Sequence, residues 1–345
     1  MSSDIASPAP RCGQCNSTGT GPNLLRCSRC KVIHYCSIEH QQAHFPIHKG
    51  ACKIVFRTRS SMETEEQRLR NFPGDVMTAA DPFTTGVGHF WGIHETRDYM
   101  RDRFAFVEAL QRMRSHDSVV AQLDHLKDML RLSNSDNMGV RDLIPALYLR
   151  LDRDQECYDF IKWWETSTDY EWNDEKPGPL DVHNADVFED AAFICNKYLH
   201  LAFGASMTLL KIKLLLDVQN LDKSLEKNGE KVPNEVFDGI QQHVVRSPIF
   251  LTPRNKIILE QKDHTDLILK LKRQIKQLYG TVNNVNRFYW TALLQPGRCL
   301  NSRPQMYSPG TKDEMVLKLQ YTYDAWIETK GSLEVIRLLK QGKFE

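Results

Sequence analysis

The sequence predicts a mainly α fold in two parts: a small cysteine-rich module at the amino end and an all-α body of helical hairpins. Three observations carry this. Six of the nine cysteines lie between Cys12 and Cys52. From about residue 97 onward, apolar residues recur at spacings of three and four, the period of an amphipathic helix. Alternation with period two, the mark of a half-buried strand, is scarce beyond the first part. A chain of 345 residues suffices for one small module and one larger body, and its 41% hydrophobic and 26% charged residues are those of a soluble globular protein.

Residues 1–10, rich in Ser, Pro and Ala, show no apolar core and read as a disordered tail without a secretory signal. No stretch approaches the roughly 18 apolar residues of a membrane span. The most apolar run, Leu209 to Leu216, is broken by Lys211 and Lys213 and reads as a buried helix. An intracellular protein, nuclear or cytoplasmic, with no membrane partner is expected; no run of five or more Lys/Arg marks nuclear import. Residues 1–60 carry eight Lys/Arg against two Asp/Glu, leaving the remainder at −5. A basic module on a mildly acidic body suits anionic partners, or the body itself.

The cysteines of the first part form two Cys-x-x-Cys pairs, Cys12/Cys15 and Cys27/Cys30, followed by Cys36, His40, His48 and Cys52. Disulfides would suit a secreted scaffold; in a long chain without a signal peptide, metal binding is the better reading. Zinc takes four thiolate or imidazole ligands in a tetrahedron. Two intervening residues let a tight turn aim both sulfurs at one metal. Three intervening residues, as in Cys36/His40 and His48/Cys52, place a pair on one helical face. Eight ligands make two closed sites, hence structural metal and folding that depends on it. His44, one turn beyond His40, is a rival for the sixth ligand position. His34 reads as a surface residue.

These residues resemble the MYND finger. That family has two Cys-x-x-Cys pairs, an aromatic-Cys step, Cys-Gln, a Trp and a closing His-Lys-x-x-Cys. Here the later steps are Tyr35-Cys36-Ser37, His40-Gln41, Phe45 and His48-Lys49-Gly50-Ala51-Cys52. His40 stands where Cys is usual, and Phe45 where Trp is usual. The resemblance implies a cross-braced fold with interleaved sites: Cys12, Cys15, Cys36 and His40 on the first zinc, Cys27, Cys30, His48 and Cys52 on the second. Interleaving staples a segment too short to build its own core. It also implies protein–protein interaction through short proline-containing peptides, at a surface of Gln41, Gln42 and Phe45 with Ser37 near the rim. A proline-rich segment loses little entropy on docking against an aromatic. Packing in the module's miniature core is the alternative role for Phe45. Transcriptional regulation follows only from family habit. Nucleic acid is not an expected partner, because the spacing through which a C2H2 helix presents base-reading side chains is missing.

The domains expected are a tail over 1–10, the finger over 11–54, a transitional linker over 55–98 and the helical body over 99–345. The linker holds a short polar helix around Glu63 to Arg70, broken at Asn71-Phe72-Pro73-Gly74. Phe83, Phe90 and Trp91 anchor the following loop to the body. Helical faces then follow at Phe106, Leu110 and Met113; Val119, Leu123, Leu126 and Leu130; Val140, Ile144 and Leu147; and Cys157, Phe160 and Ile161. Connectors lie at Ser115-His116-Asp117 and from Ser133 to Asn137. Further faces are Leu209, Ile212 and Leu216; Val236, Ile240 and Val244; and Leu267, Leu271, Leu278, Val282 and Val285.

Leu143 to Ile161 resembles one tetratricopeptide-type hairpin, turning at Asp152-Arg153, with the small Cys157 where the two helices meet. Asp152 stands where Gly is usual, Pro145 lies within the first helix, and no period of about 34 residues runs through the chain. Residues 165–190 form an acidic loop, either solvated or a counter-surface for the basic finger. Leu294 to Pro309 interrupts two helices, after which Thr311 caps a helix to Glu328. Tyr289, Trp290 and Trp326 read as core.

No catalytic role is expected. An enzymatic branch of the family, the lysine methyltransferases, carries the finger inside a SET domain with a Gly-x-Gly segment ahead of it. Eleven residues precede Cys12 here, the Asn-His-Ser-Cys motif is missing, and a helical body does not suit that strand-rich fold. Phosphate-loop, dinucleotide, serine-hydrolase and zinc-protease motifs are missing too. Cys157, Cys195 and Cys299 read as buried structural thiols. The function expected is a zinc-binding interaction adaptor. The alternative is a helical protein whose finger is purely structural and packs on its own body, and a SET-type methyltransferase comes last.

Overall fold

The computed structural model describes residues 10–18, 24–166, 182–228, 244–304 and 306–345, with backbone only at 225–228. Among them are twelve α-helices and a single sheet of two strands, so the chain is mainly α. It divides into two compact units between Leu147 and Tyr148.

The first unit opens with β1 (Leu25–Arg26) and β2 (His34–Tyr35), antiparallel, with Leu25 opposite Tyr35 and Arg26 opposite His34. Next comes α1, Ile38–Arg70, a single helix of 33 residues that carries Pro46 in its interior, where one helical hydrogen bond is lost. Ser37 starts it: its hydroxyl accepts the N–H of His40 at 3.3 Å, satisfying one of the orphan donors of the first turn. The buried face of α1 is sparse, with His48, Val55, Met62 and Leu69 recurring every seventh residue, and Cys52 beside them. The i,i+4 ion pairs Arg59–Glu63 and Glu66–Arg70 add support along it. The polar helix expected from Glu63 to Arg70 is thus the end of a helix that begins inside the finger. Asn71 closes it, and Gly74, at φ +86°, takes the left-handed turn that follows.

After the short α2 (Pro82–Thr85), Phe83 and Phe90 meet Tyr99 edge-on, and Arg97 and Arg101 lie over Trp91. These contacts anchor the loop as expected. Helix α3 (Arg97–Gln111) packs on α1 on one side and on α4 (His116–Leu132) on the other. Ser115 caps α4 by accepting the N–H of Ser118. A 3-10 turn over Val140–Leu143 leads into α5 (Ile144–Arg150), across which the units divide. Pro145 is tolerated there because it sits in the first turn, where its missing N–H has no helical acceptor.

The second unit is built around α7 (Leu201–Asn228), which is buried on nearly all sides from Leu201 to Leu215. Packed on it are α6 (Asp154–Thr166), α9 (Thr265–Val285), α11 (Lys312–Glu328) and α12 (Ser332–Lys340). The short helices α8 (Lys256–Glu260) and α10 (Tyr289–Leu294) complete it. Trp290 and Trp326 are buried edge-to-face at 5.7 Å, and the hydroxyls of Tyr289 and Thr322 meet at 2.7 Å, so this aromatic stretch is core. Thr311 caps α11 through the N–H of Glu314.

Gly204 lets α7 and α9 approach. A Cβ there would lie 2.5 Å from Leu199 Cδ2 and 2.8 Å from Val282 Cγ2. Gly204→Ala is expected to cost about 1–3 kcal/mol through overpacking, read as a lower urea midpoint; an unchanged midpoint would show that the contact yields freely.

Both lysines that interrupt the apolar run of α7 are buried. Lys213 Nζ bonds Asp154 at 2.7 Å, Asp152 at 3.0 Å and the Leu149 carbonyl at 3.2 Å. Lys211 Nζ donates to the carbonyls of Val187 (2.5 Å) and Glu189 (3.2 Å). Burial lowers Lys211 to about 7, whereas the two carboxylates overcome burial and raise Lys213. Asp152, where a tetratricopeptide turn would have Gly, has φ +53° and so takes the conformation that favours Gly. Cys157 is buried as expected, but Cys195 and Cys299 are only half-buried.

Residues 1–9 of the expected tail, most of the acidic loop (167–181), and Val236 and Ile240 lie outside the described residues. The acidic residues described beyond that gap have internal partners. Glu189 takes Tyr158 and Lys162, Asp186 pairs with Arg254, and Asp190 caps the turn at Ala192.

Candidate metal centre

Two equivalent turns present the paired cysteines. In each, the N–H four residues after the first cysteine returns to its carbonyl: Asn16 to Cys12 at 2.8 Å and Lys31 to Cys27 at 2.9 Å. Asn16 and Lys31 then turn left-handed, at φ +58° and +62°. Cys36 follows β2, and His40, His48 and Cys52 project from α1.

The ligand atoms gather into two sets, Cys12, Cys15, Cys36 and His40, and Cys27, Cys30, His48 and Cys52, each within 4.8 Å of one another. In the second set Cys27 and Cys52 lie 3.9 Å apart, and His48 Nε2 is 3.4 Å from Cys27 and 3.6 Å from Cys30. A tetrahedral zinc with ordinary bond lengths places sulfurs about 3.8 Å apart and sulfur and nitrogen about 3.6 Å apart. In the first set Cys36 is 3.6 Å from both Cys12 and Cys15, and His40 Nδ1 is 3.7 Å from Cys12 and 2.8 Å from Cys36. Donor type and number fit two zinc ions; the spacing of the second set matches zinc, and in the first set the His40–Cys36 approach is tighter than a shared zinc would hold it. Each site has four protein ligands, so the metal serves structure.

Electrostatics make the same point. Burial, then the neighbouring Cys27 and Cys52, push the Cys30 thiol up to about 12. Partial desolvation by its neighbours, then contacts with Cys12 and Cys15, push the exposed Cys36 up to about 11. In the same sets the hydrogen bond with Ser17 lowers Cys15 to about 6, and Cys27 is lowered because, against burial, the backbone N–H groups of Cys30 and Arg29 favour its thiolate. Each set thus has one thiol that ionises readily beside one that resists, and a cation lets all of them ionise together.

The sets differ in exposure. Every ligand of the second is buried, whereas Cys15 and Cys36 of the first are exposed and His40 is half-buried. His44 belongs to neither set. Its Nδ1 lies 3.0 Å from the Tyr35 hydroxyl and its ring stacks on His48, so His40 is the ligand of the pair. Tyr35 itself is fully buried, its ring edge-on to that of His48 at 6.3 Å. Only its place beside Cys36 signals that packing in the sequence.

Two supports had no visible sequence signal. Arg59, well along α1, donates to the carbonyls of Arg29 (2.8 Å) and Cys30 (3.4 Å) and so braces the turn between Cys27 and Cys30. At the start of α4, the capping Ser115 donates its Oγ–H to the Val32 carbonyl at 2.5 Å, while Asp117 faces His34 at 3.6 Å and Arg26 at 3.9 Å. His34 is therefore held between finger and helix, where a surface position was expected.

Of the residues expected to contact a peptide, Ser37 serves as the cap of α1 and is half-buried, as is Gln41; Gln42 is exposed. Phe45 is 53% exposed and lies outside the miniature core, which Val32, Ile33, Tyr35 and Val55 fill.

Compared with protein families, residues 11–52 match the MYND finger. With the two ligand sets, this segment is a zinc-binding MYND finger, a class of protein-interaction module. No curated protein and no solved structure matches the chain. No helix among the described residues is long and apolar enough to cross a membrane.

Proposed function

We propose that the chain is a zinc-dependent adaptor without catalytic activity, whose finger docks a short proline-containing peptide of another protein inside the cell. The observation that carries this reading is Phe45: a large aromatic presented to solvent from a metal-braced helix, with Ile38 (59% exposed) two turns before it. Exposed apolar groups held on a rigid element suit a partner better than they suit water. Gln41 and Gln42 flank Phe45 with amides able to bond a peptide backbone. A role in transcriptional regulation rests on the habit of such fingers.

A second reading, a purely structural finger, is favoured by the contacts of Ser115 and Asp117 with Val32, His34 and Arg26. Those contacts engage the Cys27–Cys30 side of the finger and leave Phe45 exposed, so the two roles are compatible.

Fluorescence anisotropy with a labelled proline-containing peptide tests the adaptor reading. The double variant Gln41→Ala/Phe45→Ala should bind at least about tenfold more weakly, with two zinc ions and the thermal midpoint retained. Failure of the wild-type chain to bind any such peptide would leave only the structural role.

A further inference from the structure

The outward face of α1 continues past Phe45. Ile38, Gln42, Phe45, Lys49, Lys53 and Phe56 follow one another at spacings of four, three, four, four and three, so they share one helical stripe, and all are exposed. Phe56 is 40% exposed and has two guanidiniums over its ring, Arg29 at 5.2 Å and Arg59 at 5.7 Å from the ring centre. Between Glu39 and Glu63 α1 has no acidic residue. Lys49, Lys53 and the adjacent Arg57 enter no ion pair among the described residues. The stripe thus has an aromatic at each end of an unneutralised cationic stretch. The two rings are eleven residues apart, about 16 Å along a helix.

Building on the adaptor reading, we infer that this stripe selects its partner: an extended acidic segment of another protein, with an apolar residue for Phe45, a second one for Phe56, and carboxylates between them for Lys49 and Lys53. An extended chain covers about 16 Å in about five residues, and its side chains alternate faces, so two anchors turned to the same helix fall about four or six positions apart. Charge complementarity argues for carboxylates. Bases of a single strand can also stack on exposed rings; Gln41 and Gln42 beside Phe45, with amides able to bond a peptide backbone, favour a peptide.

The test uses the full, zinc-loaded chain and two labelled peptides. Each has two leucines an even interval apart, about four or six positions, so that an extended strand turns both to one face, and a proline after the first. One carries Asp and Glu between the leucines; the other carries Asn and Gln. The acidic peptide should bind about tenfold more tightly at low salt and lose that advantage at about 0.5 M salt. Lys49→Glu/Lys53→Glu should reverse the preference with both zinc ions retained. Phe56→Ala should weaken the acidic peptide and leave a short peptide that reaches only Phe45 unaffected. Equal binding of the two peptides overturns the inference, as does a single-stranded DNA of matched charge binding as tightly as the acidic peptide. If the amide peptide binds and is lost on Phe45→Ala while carboxylates add nothing, the adaptor reading stands and this inference fails. If the acidic peptide binds and Phe45→Ala leaves it untouched, docking at Phe45 fails and the basic stripe alone carries recognition.

Discussion

Challenged with a chelator, the zinc-loaded chain is expected to release its metals in two steps, the first from Cys12, Cys15, Cys36 and His40. A competing ligand must reach the metal, and Cys15 and Cys36 are exposed while all four ligands of the other site are buried. That other site is also braced by Arg59 and by the Val32–Ser115 contact. The second step should carry the larger structural change, because His48 and Cys52 lie in the buried face of α1. Structural zinc contributes on the order of 10 kcal/mol to the folding of small fingers, so this loss should melt the amino-terminal part of α1. A colorimetric chelator should report two unequal rates, and helical circular dichroism should fall mainly with the slower. Cys15→Ser should leave one tightly held equivalent, and Cys52→Ala should leave one that is easily removed. Release in one step, or earlier from the buried site, would contradict this ranking.

In the second unit, Asp154→Ala is expected to be the most damaging single change. Asp154 is buried and accepts bonds from Lys213 Nζ at 2.7 Å and Ser247 Oγ at 2.6 Å. Its loss strands a buried ammonium with only Asp152 and one carbonyl. Breaking a buried pair on one side costs about 3–5 kcal/mol. Urea unfolding should show the loss, and zinc content should stay at two. Asp152→Gly should cost less, because glycine relieves the left-handed backbone at φ +53° while one carboxylate is lost. A larger loss at Asp152 than at Asp154 would invert this account of the network.

The zinc ligands were legible because metal binding by paired cysteines is written in local spacing: two residues for a turn, three for a helix face. The helices of the body were legible wherever apolar residues recur every three or four positions, as from Leu267 to Val285. The length of α1 was not, because between Cys52 and Arg70 its core face shows only Val55, Met62 and Leu69, one residue per two turns. The state of Lys213 was hidden for a different reason. Its partners Asp152 and Asp154 lie about sixty positions earlier, and only the packing of α6 on α7 brings them together. Phe45 was ambiguous because exposure of an aromatic depends on what fills the core in its place, here Tyr35 and Val55.

The unbroken run of α1 has a practical consequence for anyone cutting the gene. A piece ending just after Cys52 stops with eighteen residues of that helix still to come, and it loses Arg59 and the Ser115 contact along with them. Such a piece would have a frayed end and a looser second cage, so weak capture by it would speak about the truncation. A cut near Leu147, where the first unit closes, keeps the rod and its supports together.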